Sequence, residues 1–316
     1  MNEGAFTMAY EALLSREPEG TGRWEAAAQK RFVVSHDRDK IQISYQVIGS
    51  GDRTMVLASG LGGRLYIWEP LLERFAGQWR LITWDYRGLF ESDAPSRIHR
   101  LAVTNHAEDV LQILDNEKVD RAVFVGWSMG VQVSLEFASI YPERVDRLVL
   151  LNGTHGHALT TGFQPFFRVP WLQKIFHEFI DALRDKRGIQ KALAALCTSR
   201  LNLELIGGGY ARLRGQERIK RLYRQYMRDI FATDFGNYLR LFQELDAHSV
   251  YHHLRSIRHP ALIISGGLDY LTPAYQSKEM LRKMPRAEHM HLRFGTHFVL
   301  VEYPEKVVDR IARFLQ

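Results

Sequence analysis

The stretch that decides the fold is V-F-V-G-W-S-M-G-V at positions 123–131, an apolar run that stops at a serine held between two glycines. A strand that merely ended would turn on Asp, Asn, Gly or Pro, with no need for glycine on both sides of one hydroxyl. Gly126 and Gly130 remove the side chains that would collide where a chain doubles back from strand to helix, which leaves Ser128 at a strained tip. The helix expected from Met129 to about Ile140 aims its positive N-terminal end at the same point.

Working outward, T-M-V-L-A-S (54–59), R-L-I-T-W-D (80–85), A-V-F-V-G (122–126), R-L-V-L-L-N (147–152), A-L-I-I-S-G (261–266) and H-M-H-L-R-F (289–294) read as buried strands. Strands apolar on both faces and separated by helix-length segments imply a parallel sheet covered on both sides. Before them, R-F-V-V-S-H and I-Q-I-S-Y-Q-V-I-G, joined by D-R-D-K, read as a hairpin. The expected fold class is therefore α/β, with a mostly parallel eight-stranded sheet. Residues 1–29 read as an N-terminal extension with a short helix over Ala5 to Leu14. Between Asn152 and Ala261 no strand pattern appears, only helical ones such as F-F-R-V-P-W-L-Q-K-I-F-H-E-F-I and E-R-I-K-R-L-Y-R-Q-Y-M-R-D-I. A structureless loop of that length does not suit a compact domain. Residues 155–246 are accordingly assigned to a helical cap inserted into a core of 30–154 and 247–316.

The length of 316 residues suits one α/β domain with an insertion, and 46% hydrophobic with 25% charged residues is ordinary for a soluble enzyme. The single cysteine, Cys197, cannot form an internal disulfide and fits a reducing compartment; in A-L-A-A-L-C it reads as a packed residue. Glu11 interrupts the only N-terminal apolar run, and no stretch approaches the roughly 20 apolar residues that span a bilayer, so a soluble cytoplasmic protein is expected. The net charge of +6 sits in one segment: residues 155–248 hold 15 Lys and Arg against 9 Asp and Glu, and the remainder holds 27 of each sign. On a helix from about Glu217 to Ile230, Ile219, Leu222, Tyr223, Tyr226, Met227 and Ile230 share one face while Arg221, Arg224 and Arg228 line another. A solvated outer face is the simplest reading; an acidic carrier protein or an anionic membrane surface is the partner such a stripe would suit. Lys and Arg are not interleaved with aromatics as nucleic-acid binding requires. His155 and His157 form H-x-H with no further ligands to complete a metal site, and His252 and His253, being adjacent, point apart, so neither a metal nor a cofactor is expected.

A serine hydroxyl is a poor nucleophile at neutral pH and needs a base, and the base needs something to orient it. G-T-H-F at 295–298 follows the last strand and supplies His297; I-I-S-G-G-L-D-Y-L-T-P supplies Asp269 just past another strand end. The alternative strand end, L-L-N-G-T, contains no carboxylate. The order Ser128, Asp269, His297 gives nucleophile, acid and base. Acyl transfer also needs donors for the developing oxyanion. One is the backbone N–H of Met129; the other is assigned to Leu61 in S-G-L-G-G, where Gly60, Gly62 and Gly63 let the backbone curl close to substrate.

On these motifs the sequence resembles the α/β-hydrolase superfamily from about residue 31 to its C-terminus. D-Y-R-G-L-F-E-S at 85–92 is similar to that family's D-x-R-G-x-G-x-S loop, and Y-P-E-R-V-D-R-L-V-L-L at 141–151 is similar to its approach to the next strand. Three positions depart from the pattern: Ser59 replaces the His of H-G-x-x-G, Phe90 replaces a glycine, and Val131 replaces a second glycine after the elbow. Gly60, Trp68, Trp127 and Phe90 are expected to contact substrate. The resemblance implies a serine hydrolase that cleaves a small-molecule ester, thioester or lactone through an acyl-enzyme. Serine in place of Asp disfavours dehalogenase and epoxide-hydrolase chemistry. Family members with a G-x-S-M-G elbow that hydrolyse carbon–carbon bonds, and others that serve as slow-turnover small-molecule sensors, give the competing readings.

Overall fold

The strands form because successive side chains point to opposite faces and both sets here are apolar. In β3 (Arg53–Ala58), Met55 and Leu57 pack on one face and Val56 and Ala58 on the other. The computed structural model describes residues 22–162, 170–184, 186–199, 202 and 217–316; the helix expected over Ala5 to Leu14 lies outside them. Hairpin β1 (Gln29–Val34) and β2 (Gln42–Ile48) is antiparallel, and β2 lies antiparallel to β4 (Trp79–Trp84). From β4 onward the sheet is parallel, through β3, β5 (Ala122–Trp127), β6 (Val145–Leu151), β7 (Ala261–Gly266) and β8 (Ala287–Leu292). The spatial order of the eight strands is β1-β2-β4-β3-β5-β6-β7-β8. β5 is buried along its whole length, between β3 and β6.

In chain order the described helices are α1 (Gly22–Ala27), α2 (Glu69–Phe75), α3 (Val103–Asn116), α4 (Met129–Ile140), α5 (Ala158–Thr161), α6 (Pro170–Arg184), α7 (Arg187–Cys197), α8 (Glu217–Ala232), α9 (Phe235–Ala247), α10 (Ala274–Lys283), α11 (Val299–Glu302) and α12 (Pro304–Leu315). Helices α3, α4 and α10 pack on one face of the sheet, and α2, α11 and α12 on the other. One expectation is corrected: the run over 289–294 is not a buried strand. β8 pairs only with β7, so it is the sheet edge, Glu288 and His291 are exposed, and Phe294 is 56% exposed beyond it.

Helices α5 to α9 lie between β6 and β7, and no strand occurs there among the described residues. Ile219 and Leu222 of α8 join the apolar cluster that contains Trp127, while Leu241 and Leu245 of α9 join the cluster on the opposite face. Two smaller clusters tie the inserted helices together, Ile180 and Leu183 with Leu239, and Ala194 with Ile230 and Phe231. Of the three arginines on the outer stripe of α8, Arg221 is exposed and Arg224 and Arg228 are half-buried. Among the described residues no helix is long and apolar enough to cross a membrane.

The D-Y-R-G stretch has a structural task. Arg87, 1% exposed, donates from Nε and a terminal nitrogen to the two Asp109 oxygens at 2.6 Å each, and also pairs with Asp37. It thereby joins the loop after β4 to α3 and to the β1–β2 turn. Replacing it strands two carboxylates away from water. Arg87→Met is expected to cost about 3–5 kcal/mol, measured by denaturant unfolding; a loss under about 1 kcal/mol would contradict this assignment.

Candidate active site

The residue between β5 and α4 is Ser128, at φ 56° and ψ −115°. That left-handed conformation is imposed by close backbone approach. A Cβ on Gly130 would lie 1.8 Å from the Ala58 carbonyl oxygen, and one on Gly126 would lie 2.4 Å from the Gly130 oxygen. The departure at Val131 is absorbed across the site: a Cβ on Gly153 would lie 2.3 Å from the Val131 side chain, so the missing side chain after β6 makes room for the valine.

The loop after β3 closes as a turn, with the Gly63 N–H donating to the Gly60 oxygen at 2.8 Å and Gly62 at φ +77°. Gly60 faces the nucleophile, since a Cβ there would lie 3.1 Å from the Ser128 Cβ. The Leu61 N–H lies outside the turn's own hydrogen bond, and the Met129 N–H is the first of α4, where no earlier turn supplies an acceptor. In place of the family histidine, Ser59 accepts at Oγ from Trp68 Nε1 at 2.9 Å, and its carbonyl accepts from the Tyr86 hydroxyl at 2.6 Å. The Tyr226 hydroxyl of α8 donates to the Leu61 carbonyl at 2.7 Å, which fixes the turn from above.

Asp269 and His297 come from the loops after β7 and β8, which are stitched by the Leu268 N–H donating to the Gly295 oxygen at 2.8 Å. His297 Nδ1 is 3.0 Å from Asp269 Oδ2. Asp269 also accepts from Thr272 Oγ1 at 2.6 Å, Asn152 Nδ2 at 2.7 Å, and the Leu271 and Thr272 N–H groups at 3.0 and 2.9 Å. Burial alone would raise its pKa, but the His297 charge and these donors hold the carboxyl below the usual range. The His297 backbone oxygen accepts from Trp127 Nε1 at 2.8 Å, and the Thr296 N–H donates to the buried Glu302 carboxylate at 2.8 Å.

Ser128 and His297 line one cavity of about 140 Å³ together with Leu61, Met129, Gln132 and Thr154, and α8, α9 and the loop before α10 complete it through Tyr226, Tyr238, Phe242, Leu245, Leu271 and Thr272. Its wall does not include Gly60, Trp68, Trp127 or Phe90. Trp68 is fully buried behind the turn, Trp127 braces the His297 loop, and Phe90 sits at a joint between core and insertion. There its N–H donates to Thr233 Oγ1 at 2.9 Å, and Arg64 lies 4.7 Å over its ring. On its other side His297 borders an open groove with Leu268, Tyr270 and Phe298.

Asn152, Thr272 and Gln132 are the site residues that motif reading passes over. Asn152 alone carried a signal, because it occupies the alternative strand end for the acid and touches that acid from there. Among the described residues no group of three or more His, Cys, Asp or Glu is placed to hold a metal ion. His155 packs against Tyr251, and burial pushes it down to about 4; burial likewise raises the Cys197 thiol.

Comparison with known proteins agrees with this architecture. The α/β hydrolase fold family matches residues 53–304. A Caulobacter segnis protein named "Putative carbamate hydrolase RutD" is 26% identical over 277 residues, covering 87% of this chain and 96% of its own. A hydrolase from Pseudomonas aeruginosa superposes with a TM-score of 0.72 at 23% identity, over 91% of this chain and 98% of its own. The enol-lactonase from Burkholderia xenovorans does so with a TM-score of 0.70 at 22% identity, over 90% and 99%. At such identities the superpositions speak for the fold.

The lowered Asp269 pKa has a consequence for acid stability. The stabilisation is fully present above the unfolded value of about 4 and is lost as pH falls through the lower folded value. Thr272→Val removes one donor, so it is expected to cost about 1–2 kcal/mol at neutral pH and to move acid unfolding to higher pH, followed by circular dichroism. An unchanged acid midpoint would contradict it.

Proposed function

This chain belongs to the α/β hydrolase fold family, and we propose that it is a serine hydrolase that cleaves a carboxylic ester, thioester or lactone through an acyl-enzyme. The observation that carries the reading is one cavity into which Ser128 and His297 both open, with Asp269 on the far nitrogen of the same imidazole.

In this reading Ser128 Oγ attacks the acyl carbon while its proton passes to His297 Nε2, and Asp269 stabilises the imidazolium at Nδ1. The Leu61 and Met129 N–H groups hold the oxyanion. Collapse breaks the bond to the leaving oxygen or sulfur, which takes the proton back from His297. Water then repeats the sequence, giving its proton to His297 and releasing the acid and a free Ser128. The inserted helices act as a cap, because Tyr226, Tyr238, Phe242 and Leu245 roof the pocket. The open groove beside His297 receives the leaving group.

Size selects among acyl groups. A cavity of about 140 Å³ takes roughly one benzene-sized group, so a short acyl chain fits. A carbamate, named for the Caulobacter relative, presents the same kind of carbonyl but leaves most of the space unfilled.

Ser128→Ala is expected to lower turnover of p-nitrophenyl butyrate by roughly 10⁴-fold or more with the melting temperature within about 2 °C. Wild-type activity in that variant would refute the assignment. Across p-nitrophenyl esters, kcat/KM should be highest from acetate to hexanoate and lower by at least about tenfold for palmitate, a difference of about 1.4 kcal/mol; a palmitate optimum would contradict the cavity reading.

A further inference from the structure

Gln132 brings to the cavity wall a donor that the chemistry above does not use. Gln132 lies one helical turn beyond Ser128 on α4, about 5.4 Å along the axis, and is 0% exposed. Its Oε1 accepts from His248 Nδ1 at 2.7 Å, so its amide nitrogen is turned away from the histidine. That Nε2 is buried and has no partner in the protein.

Three other polar side chains of the wall, Thr154, Thr272 and Tyr226, are already committed. Thr154 Oγ1 donates to the Gly156 oxygen at 2.8 Å, Thr272 Oγ1 to Asp269 at 2.6 Å, and Tyr226 to the Leu61 oxygen at 2.7 Å. A buried amide N–H without an acceptor costs free energy, so its presence in the wall points to an acceptor brought by the ligand.

The amide orientation is built from outside the cavity. His248 donates from Nε2 to Glu136 Oε2 at 3.1 Å, and Thr104 Oγ1 donates to the other Glu136 oxygen at 3.2 Å. Burial would raise the Glu136 pKa, but the His248 and Thr104 hydrogen bonds and the His248 charge lower it, which keeps an anion behind the ring. Both histidine partners are oxygens, so the Gln132 NH₂ is the end of the amide turned from the ring.

We propose that Gln132 is a specificity-determining residue whose Nε2 donates to an oxygen on the acyl part of the substrate, a few bonds beyond the scissile carbonyl. The preferred substrates are then oxo- or alkoxy-substituted short acyl esters or lactones. His248 is a positioning residue that acts through Gln132. The proposal rests on the serine-hydrolase reading of the cavity and deepens it. It follows the logic by which a buried donor discriminates against a substrate that lacks the matching acceptor.

The test compares p-nitrophenyl 4-oxopentanoate with p-nitrophenyl pentanoate, which differ at one carbon, each rate corrected for spontaneous hydrolysis. The wild type is expected to favour the oxo ester by about tenfold to a hundredfold in kcat/KM. In Gln132→Leu the ratio should fall toward one, and in His248→Phe, a second variant should the first not fold, it should fall as well. A wild-type ratio of one or below, or a ratio kept in folded Gln132→Leu, would overturn the proposal while leaving the hydrolase reading intact. If the wild type cleaves neither ester, that reading fails by itself. Calorimetric binding of free 4-oxopentanoate and pentanoate then decides the proposal: equal affinities overturn it, and tighter 4-oxopentanoate binding that is lost in Gln132→Leu supports it.

Discussion

The close crossing of the first turn of α4 over the end of β3 is the constraint on which the site depends. No side chain fits at Gly130, because the Ala58 carbonyl occupies the place of its first carbon. Backbones can meet there only if the intervening residue turns through a left-handed conformation, which costs about 1–2 kcal/mol for a residue with a side chain. Ser128 occupies that turn. The same strand launches the Gly60–Gly63 turn, so one packing contact fixes the serine and sets the turn beside it.

Around this crossing the chain answers each of its departures from the family pattern with a compensating neighbour. Val131 fills the space left by Gly153. Ser59, lacking an imidazole, is held through Trp68 and Tyr86. Phe90, at φ 52°, takes a conformation suited to glycine, and its ring lies under the Arg64 guanidinium. The substitutions change how the loops are braced.

The strands and the elbow were legible because their signals are local: compact runs apolar on both faces, glycines at fixed offsets, and a helix pattern that begins at Met129. Asp269 and His297 were legible because strand ends are recognisable and their order along the chain is constrained. The cavity wall was not. Tyr226, Tyr238, Phe242 and Leu245 read in sequence as the apolar stripes of amphipathic helices, and only tertiary packing turns some of those positions toward Ser128. Trp68 and Trp127 show the converse, lying outside that wall. Nearness in sequence to the elbow and turn suggested contact with substrate, whereas the parity of β5 sends Trp127 to the sheet face opposite Phe124. The last strand was misjudged because H-M-H-L-R-F is apolar enough to be buried and nothing in it says that no further strand follows.

If Ser128 is the nucleophile proposed above, it should be the residue that a fluorophosphonate ester modifies, and peptide mass spectrometry of the intact, folded chain reads this directly. The account predicts a single adduct on the peptide carrying Ser128, absent when His297 is replaced by alanine. A folded protein that takes no label, or takes it at another residue, would contradict it.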